Sequence, residues 1–176
     1  MRNFFLKSMI IAIAAVTMSV AVNAQEKGDM AVGGNLVFGS GDSYSNMGVG
    51  AKFQYNVTKP IRLEGSFTYF FEKDLASMWD LSVNAHYLFP VANQINVYPL
   101  AGVGILGTKV NIPTIDLDDW GIYGGGSAST SEVCFNVGGG IDFKITDKLI
   151  LNAEVKYKIA SDWNRLLLSA GIAYLF

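Results

Sequence analysis

The 176-residue sequence is short of charge, cysteine, histidine and proline. Charged residues make up 16% of it, well below the roughly one quarter of an ordinary soluble domain. The single cysteine, Cys134, excludes an internal disulfide and a multi-cysteine metal site. Thirteen Lys and Arg against fifteen Asp and Glu give a net charge of −2. That leaves no basic field of the kind that binds phosphate backbones, so nucleic acid is excluded as a partner. Past the first two dozen residues there is also no apolar run approaching the roughly 20 residues of a membrane helix. Yet 51% of the residues are hydrophobic. The apolar excess must be distributed in some other way.

Residues 1–24 carry Arg2 and Lys7, an apolar stretch over 9–16, and the ending Val22-Asn23-Ala24. This pattern predicts a cleaved secretory signal peptide followed by a single domain over 25–176.

That domain alternates with a period of two, in short stretches separated by turn residues, so it reads as all-β. The clearest stretch is 149–159, where Leu149, Leu151, Ala153, Val155, Tyr157 and Ile159 point one way and Asn152, Glu154, Lys156 and Lys158 the other. The same split recurs over 47–57, 61–71, 79–89 and 133–143, with the apolar set at odd positions, and over 166–176 at even ones. The stretches 30–38 and 95–106 complete a set of eight strands. Being Gly-rich or apolar on both faces, they leave their facing open.

Volume decides which face is inside. The apolar faces of the six clear strands hold 36 positions, 30 of them large apolar or aromatic and none charged. A narrow eight-stranded barrel cannot enclose that many large side chains. The apolar face must point outward into lipid, where closure also satisfies every backbone N–H and C=O. The prediction is an eight-stranded antiparallel up-and-down transmembrane β-barrel. A secreted β-sandwich is the competing arrangement. It does not account for aromatics gathered at the strand ends as membrane girdles: Tyr55, Tyr87, Phe89, Phe143, Tyr174 and Phe176 towards one rim, Phe38, Phe71 and Trp79 towards the other. Short links at 58–60, 90–94 and 145–148 read as periplasmic turns. Longer ones at 39–46, 72–78 and 107–131, with the brief 160–164, would face outside.

The stretch Asn96-Val97-Tyr98-Pro99-Leu100-Ala101-Gly102-Val103-Gly104 and the ending Ala170-Gly171-Ile172-Ala173-Tyr174-Leu175-Phe176 resemble the small outer-membrane β-barrel family, which includes the OmpA transmembrane domain, OmpX-type proteins and opacity-type adhesins. The resemblance spans residues 25–176. It implies a monomer integral to the outer membrane of a Gram-negative cell envelope, surrounded by outer-membrane lipids and lipopolysaccharide. Tyr174 and Phe176 would then form the assembly signal read by the barrel-assembly machinery.

Candidate chemistry mostly dissolves. Gly102-Val103-Gly104-Ile105-Leu106-Gly107 matches a dinucleotide fingerprint, but Thr108–Pro113 is β-branched and then broken by proline where a helix would be needed. Asp116, Asp118 and Asp119 lack the spacing of an EF-hand loop and read as a solvated acidic cluster. Together with Trp120, Ile122 and Tyr123 they make residues 107–131 the candidate extracellular contact loop, its sticky centre tethered by a flexible Gly/Ser run over 124–129. Some small outer-membrane barrels modify lipid A. His86, the only histidine, has Ser82 on its face but sits towards the periplasmic end, away from the outer leaflet. No catalytic, cofactor-binding or metal residue is predicted, and Cys134 reads as an inert interior thiol.

The inward faces carry ten charges, five basic and five acidic. Two layers are expected: Asp80, Glu132, Lys158 and Arg165 towards the outer end, with Lys52, Arg62, Glu64, Asp142, Glu154 and Lys156 in the middle and lower barrel. Paired, they would plug the lumen. The sequence thus predicts a non-enzymatic barrel serving envelope integrity or surface contact through its outer loops. A narrow gated, porin-like pore and a lipid A-modifying enzyme are the competing classes.

Overall fold

The computed structural model describes residues 26–41, 45–73, 76–117, 121–161 and 164–176; the predicted signal segment lies outside them. The strands are β1 (Met30–Gly41), β2 (Ser45–Asn56), β3 (Ile61–Lys73), β4 (Ala76–Tyr87), β5 (Phe89–Ala92), β6 (Ile95–Leu117), β7 (Gly121–Lys144), β8 (Leu149–Ile159) and β9 (Arg165–Leu175). β4 and β5 are one stave interrupted at Leu88, since both pair antiparallel with β6. Each stave pairs antiparallel with its neighbour, and β1 closes on β9 from Ala31↔Leu175 to Gly41↔Arg165. The result is a closed eight-stranded barrel without an edge along its wall.

Closure in this register fixes the facing. Because side chains alternate, a slip of one residue would turn a whole strand inside out. The six strands with clear alternation face as their pattern predicts. Arg62 in β3 is wholly buried, whereas Phe135 in β7 is 62% exposed on the outer wall. The two ambiguous strands are settled by their partners. β1 turns Val32, Leu36 and Phe38 outward and Ala31 and Val37 inward; β6 turns Val103 and Ile105 outward and Tyr98, Leu100 and Leu106 inward.

Both four-residue turns, 57–60 and 145–148, have threonine at their second position for the same reason. Thr58 and Ile61 exchange backbone hydrogen bonds, with the Thr58 hydroxyl also accepting from the Ile61 N–H; at Thr146 and Leu149 the backbone exchange repeats, and the Thr146 hydroxyl accepts from Lys148. These turns lie at the end that holds the start of β1 and the end of β9. There the Phe176 N–H donates to the Met30 carbonyl.

At the opposite end one expectation is overturned. Residues 107–117 and 121–131 are paired strand and not a loop on a flexible tether. β6 and β7 continue as an antiparallel ladder from Ile95↔Phe143 to Leu117↔Gly121, broken only at Pro113, with 23 and 24 residues against 11–13 in β1–β4, β8 and β9. Glycine and serine adopt extended pairing here because the facing strand supplies the hydrogen bonds that their side chains do not discourage. The links after β1 and β3 are likewise shorter than predicted, since β1 runs to Gly41 and β4 begins at Ala76.

Candidate functional site

Two features outlast the account of the wall: a charged interior and the projecting β6–β7 hairpin. Two of the interior ion pairs join strands that do not touch and so form across the lumen, while Lys52–Glu64 links neighbouring strands and Lys156–Glu154 lies within β8. Arg62 of β3 meets Asp142 of β7 at 2.6 Å. Its guanidinium lies 4.7 Å from the Tyr98 ring centroid, and its Nε and Nη2 point at His86 Nδ1, at 3.2 and 3.0 Å. Lys158 of β8 meets Asp80 of β4 at 2.5 Å and bonds Ser82 and Asn136. Lys52 donates to Asn152 at 2.7 Å and lies 3.6 Å from Glu64, which also accepts from Gln54. Lys156 pairs with Glu154 at 3.0 Å, and the Tyr98 hydroxyl donates to the same carboxylate. Gly140, opposite Tyr98 in the ladder, makes room for that ring: a Cβ there would stand 2.5 Å from the Tyr98 hydroxyl.

Towards the outer end, Arg165 donates to Asn46 and lies 4.8 Å from the Phe70 ring centroid. Glu132 is half-buried on β7. Within the outer group read from sequence, Asp80 and Lys158 stand together as an ion pair, and Arg165 lies against the Phe70 ring and the Asn46 amide.

Sequence reasoning missed two apolar clusters at either end of this network. Val37, Phe70, Met78 and Leu167 cluster towards the outer end, and Leu88, Tyr98 and Leu100 towards the turn end. The signal was present as apolar residues at inward positions near strand ends. Between the clusters, a cavity of about 10 Å³ lined by Lys52, Glu64, Asp80, Glu154 and Lys156, among others, has room for about one water.

Glu64, His86 and Glu154 bring one potential ligand atom each within 4.8 Å of one another. Arginine only donates, so His86 Nδ1 accepts and the neutral ring carries its proton on Nε2. The ring therefore turns an N–H, not a lone pair, towards Glu64, whose Oε1 lies 4.0 Å from Nε2. Lys52 already faces the Glu64 carboxylate and Lys156 that of Glu154. This trio suits an ion-paired lattice better than a cation. Ser82 donates to Asp80 and accepts from Lys158, while His86 accepts from Arg62, and Cys134 is buried against Lys158 Nζ at 3.3 Å. Among the described residues no hydrogen bond links Ser82 or Cys134 to His86.

In the hairpin, Asp116 stands opposite Ile122. Ile115 stands opposite Tyr123 in the same ladder, while Asp118, Asp119 and Trp120 lie outside the described residues. β4 leaves β6 at Val110 and β8 leaves β7 at Phe135, so beyond those points each strand of the hairpin pairs, among the described residues, only with the other. Tyr174 faces outward with Lys148 Nζ 5.9 Å from its ring centroid, and Phe176 is exposed.

The sequence profile described as "Outer membrane protein beta-barrel domain" matches residues 9–176. Among solved structures, the chain is similar to Ail, the attachment invasion locus protein of Yersinia pestis, with 20% identity over 85% of this chain and 99% of that one and a TM-score of 0.58. It is also similar to Neisserial surface protein A, with 16% identity over 84% and 96% and a TM-score of 0.61. The N-terminal β-barrel domain of Pseudomonas aeruginosa OprF gives 14% identity over 86% and 100% and a TM-score of 0.60. At these identities the likeness is one of fold. No curated protein matches the chain.

Proposed function

We propose, because the chain belongs to the outer membrane protein β-barrel domain family, that it is a closed, non-enzymatic barrel that presents the β6–β7 hairpin at the cell surface as a contact arm. The observation that carries this reading is the ladder running on to Leu117↔Gly121 after both neighbouring staves have ended. Strand edges with unshared N–H and C=O groups favour pairing with another extended chain. A plugged interior fits a contact role better than transport, since two apolar clusters stand at either end of the paired charges.

Charge narrows the partner. The four links and strand ends on the hairpin side carry Asp42, Glu72, Asp74, Asp116, Asp118, Asp119, Glu132 and Asp162 against Lys73, Lys109 and the buried Arg165. An Ail structure holds the heparin analogue sucrose octasulfate. This acidic end would repel such a polyanion and suits a neutral or cationic partner.

Surface proteolysis of intact expressing cells tests the arrangement. Cleavage should fall within residues 107–131 and spare the turns at 57–60 and 145–148. Deleting residues 111–123 should leave a folded barrel while abolishing the protein's contribution to attachment of cells to epithelial and abiotic surfaces. Unchanged attachment, or cleavage confined to the short turns, would contradict the reading.

A further inference from the structure

The outer wall is not uniformly convex. A groove of about 760 Å³ crosses β1, β2, β7, β8 and β9, with Gly34, Ala153 and Ala170 as its floor and Leu36, Phe143 and Ile172 among its walls. This volume lies within the range of about 300–1,000 Å³ typical of small-ligand sites. The register explains why the groove exists. Ala153 stands beside Ala170, Ala170 beside Leu36, and Ile172 beside Gly34, so three small residues fall together on the outward face. It rises obliquely from Phe143, one residue before the end of β7, to Val49 near the middle of β2.

The lower end of the groove is not apolar. Phe143 also borders a second hollow of about 430 Å³, lined by Asn93, Gln94 and Ile95 at the β5–β6 turn. In the β7–β8 turn, Lys148 is exposed with its ammonium over the outward Tyr174 ring, and Tyr174 is two residues from the groove wall at Ile172. An apolar channel on the outer wall, with two amides in the hollow beyond Phe143 and an exposed cation over a tyrosine of the strand that supplies Ile172, has the polarity profile of a glycerophospholipid.

We infer that this groove seats an acyl chain of one glycerophospholipid of the periplasmic leaflet, with its phosphate at Lys148 and its headgroup against Asn93 and Gln94. The site rests on the orientation proposed above, in which the short turns face the periplasm. It does not depend on what the hairpin contacts. The walls supply dispersion contacts that a smooth barrel lacks, and Lys148 supplies the attraction to phosphate.

Native mass spectrometry of the full-length barrel, released from detergent micelles and titrated with phosphatidylglycerol, tests the inference. The wild type should hold one lipid per barrel. The groove-filling variant Ala153→Phe/Ala170→Phe should bind about tenfold more weakly, a loss readable directly from the titration. Lys148→Gln should weaken binding about fivefold, as expected for removing one cation at a lipid surface. Gly65→Leu serves as the control, because it faces outward on β3 where an added Cβ meets nothing within 4 Å, and it should bind as the wild type does. Equal binding by the groove-filled and control variants would overturn the site. Retention of lipopolysaccharide in preference to phosphatidylglycerol would overturn the assignment to a periplasmic-leaflet phospholipid. Neither result bears on the surface-attachment assay, so the two readings fail separately.

Discussion

Replacing Arg62 with methionine is expected to destabilise the barrel by about 3–5 kcal/mol, the cost of leaving a buried charge without its partner. Arg62 is wholly buried, holds Asp142 at 2.6 Å and covers the Tyr98 ring. Its removal strands the buried Asp142 carboxylate without its cation. Urea midpoints for the barrel refolded in detergent micelles would measure the loss. The double variant Arg62→Met/Asp142→Leu should recover most of it, since taking out both charges removes the desolvation penalty along with the attraction. Lys59→Met, in the exposed turn before β3, should change stability by no more than about 0.5 kcal/mol. If Arg62→Met behaved like Lys59→Met, the interior would have to be wet and screened.

The second large effect lies on the other face of the wall. Val155 stands at the middle of β8 and points outward. Val155→Lys should cost about 2–4 kcal/mol in a phospholipid bilayer, whereas Ile159→Lys, at the end of the same strand, should cost only about 0–1 kcal/mol, because the penalty falls with distance from the midplane. Refolding into bilayers of defined thickness would read both values. A depth-independent cost would indicate that this face does not meet hydrocarbon.

These two faces were legible in the sequence because alternation in a half-charged strand admits one arrangement. Lys156 and Lys158 cannot face lipid, so Val155 and Tyr157 must. The same logic fails for β1 and β6. Val37 and Tyr98 are apolar and yet inward, and glycines occupy both faces, so only pairing with β2, β4, β7 and β9 fixes those strands. Which charges meet was also beyond the sequence. Arg62 and Asp142 lie on strands separated by the β4–β5 stave and β6, and their contact depends on the diameter of the closed barrel rather than on spacing along the chain. The hairpin reads as a loop because Pro113 and the Gly124–Gly126 run are turn signals in isolation. In the ladder, Ile112 and Thr114 pair on either side of Pro113, and Gly124 and Gly126 face them. The apolar clusters around Phe70 and Leu100 are masked in the sequence by the density of charge on the inward face.

The proposed function requires a sealed barrel, with paired charges between two apolar clusters. Single-channel recording of the wild-type protein in planar bilayers tests it most directly. The account predicts a silent membrane at either polarity, with current appearing only when the seal is removed, as in a Phe70→Gly/Met78→Gly/Arg62→Met variant. A steady, large open conductance from the wild type would contradict it.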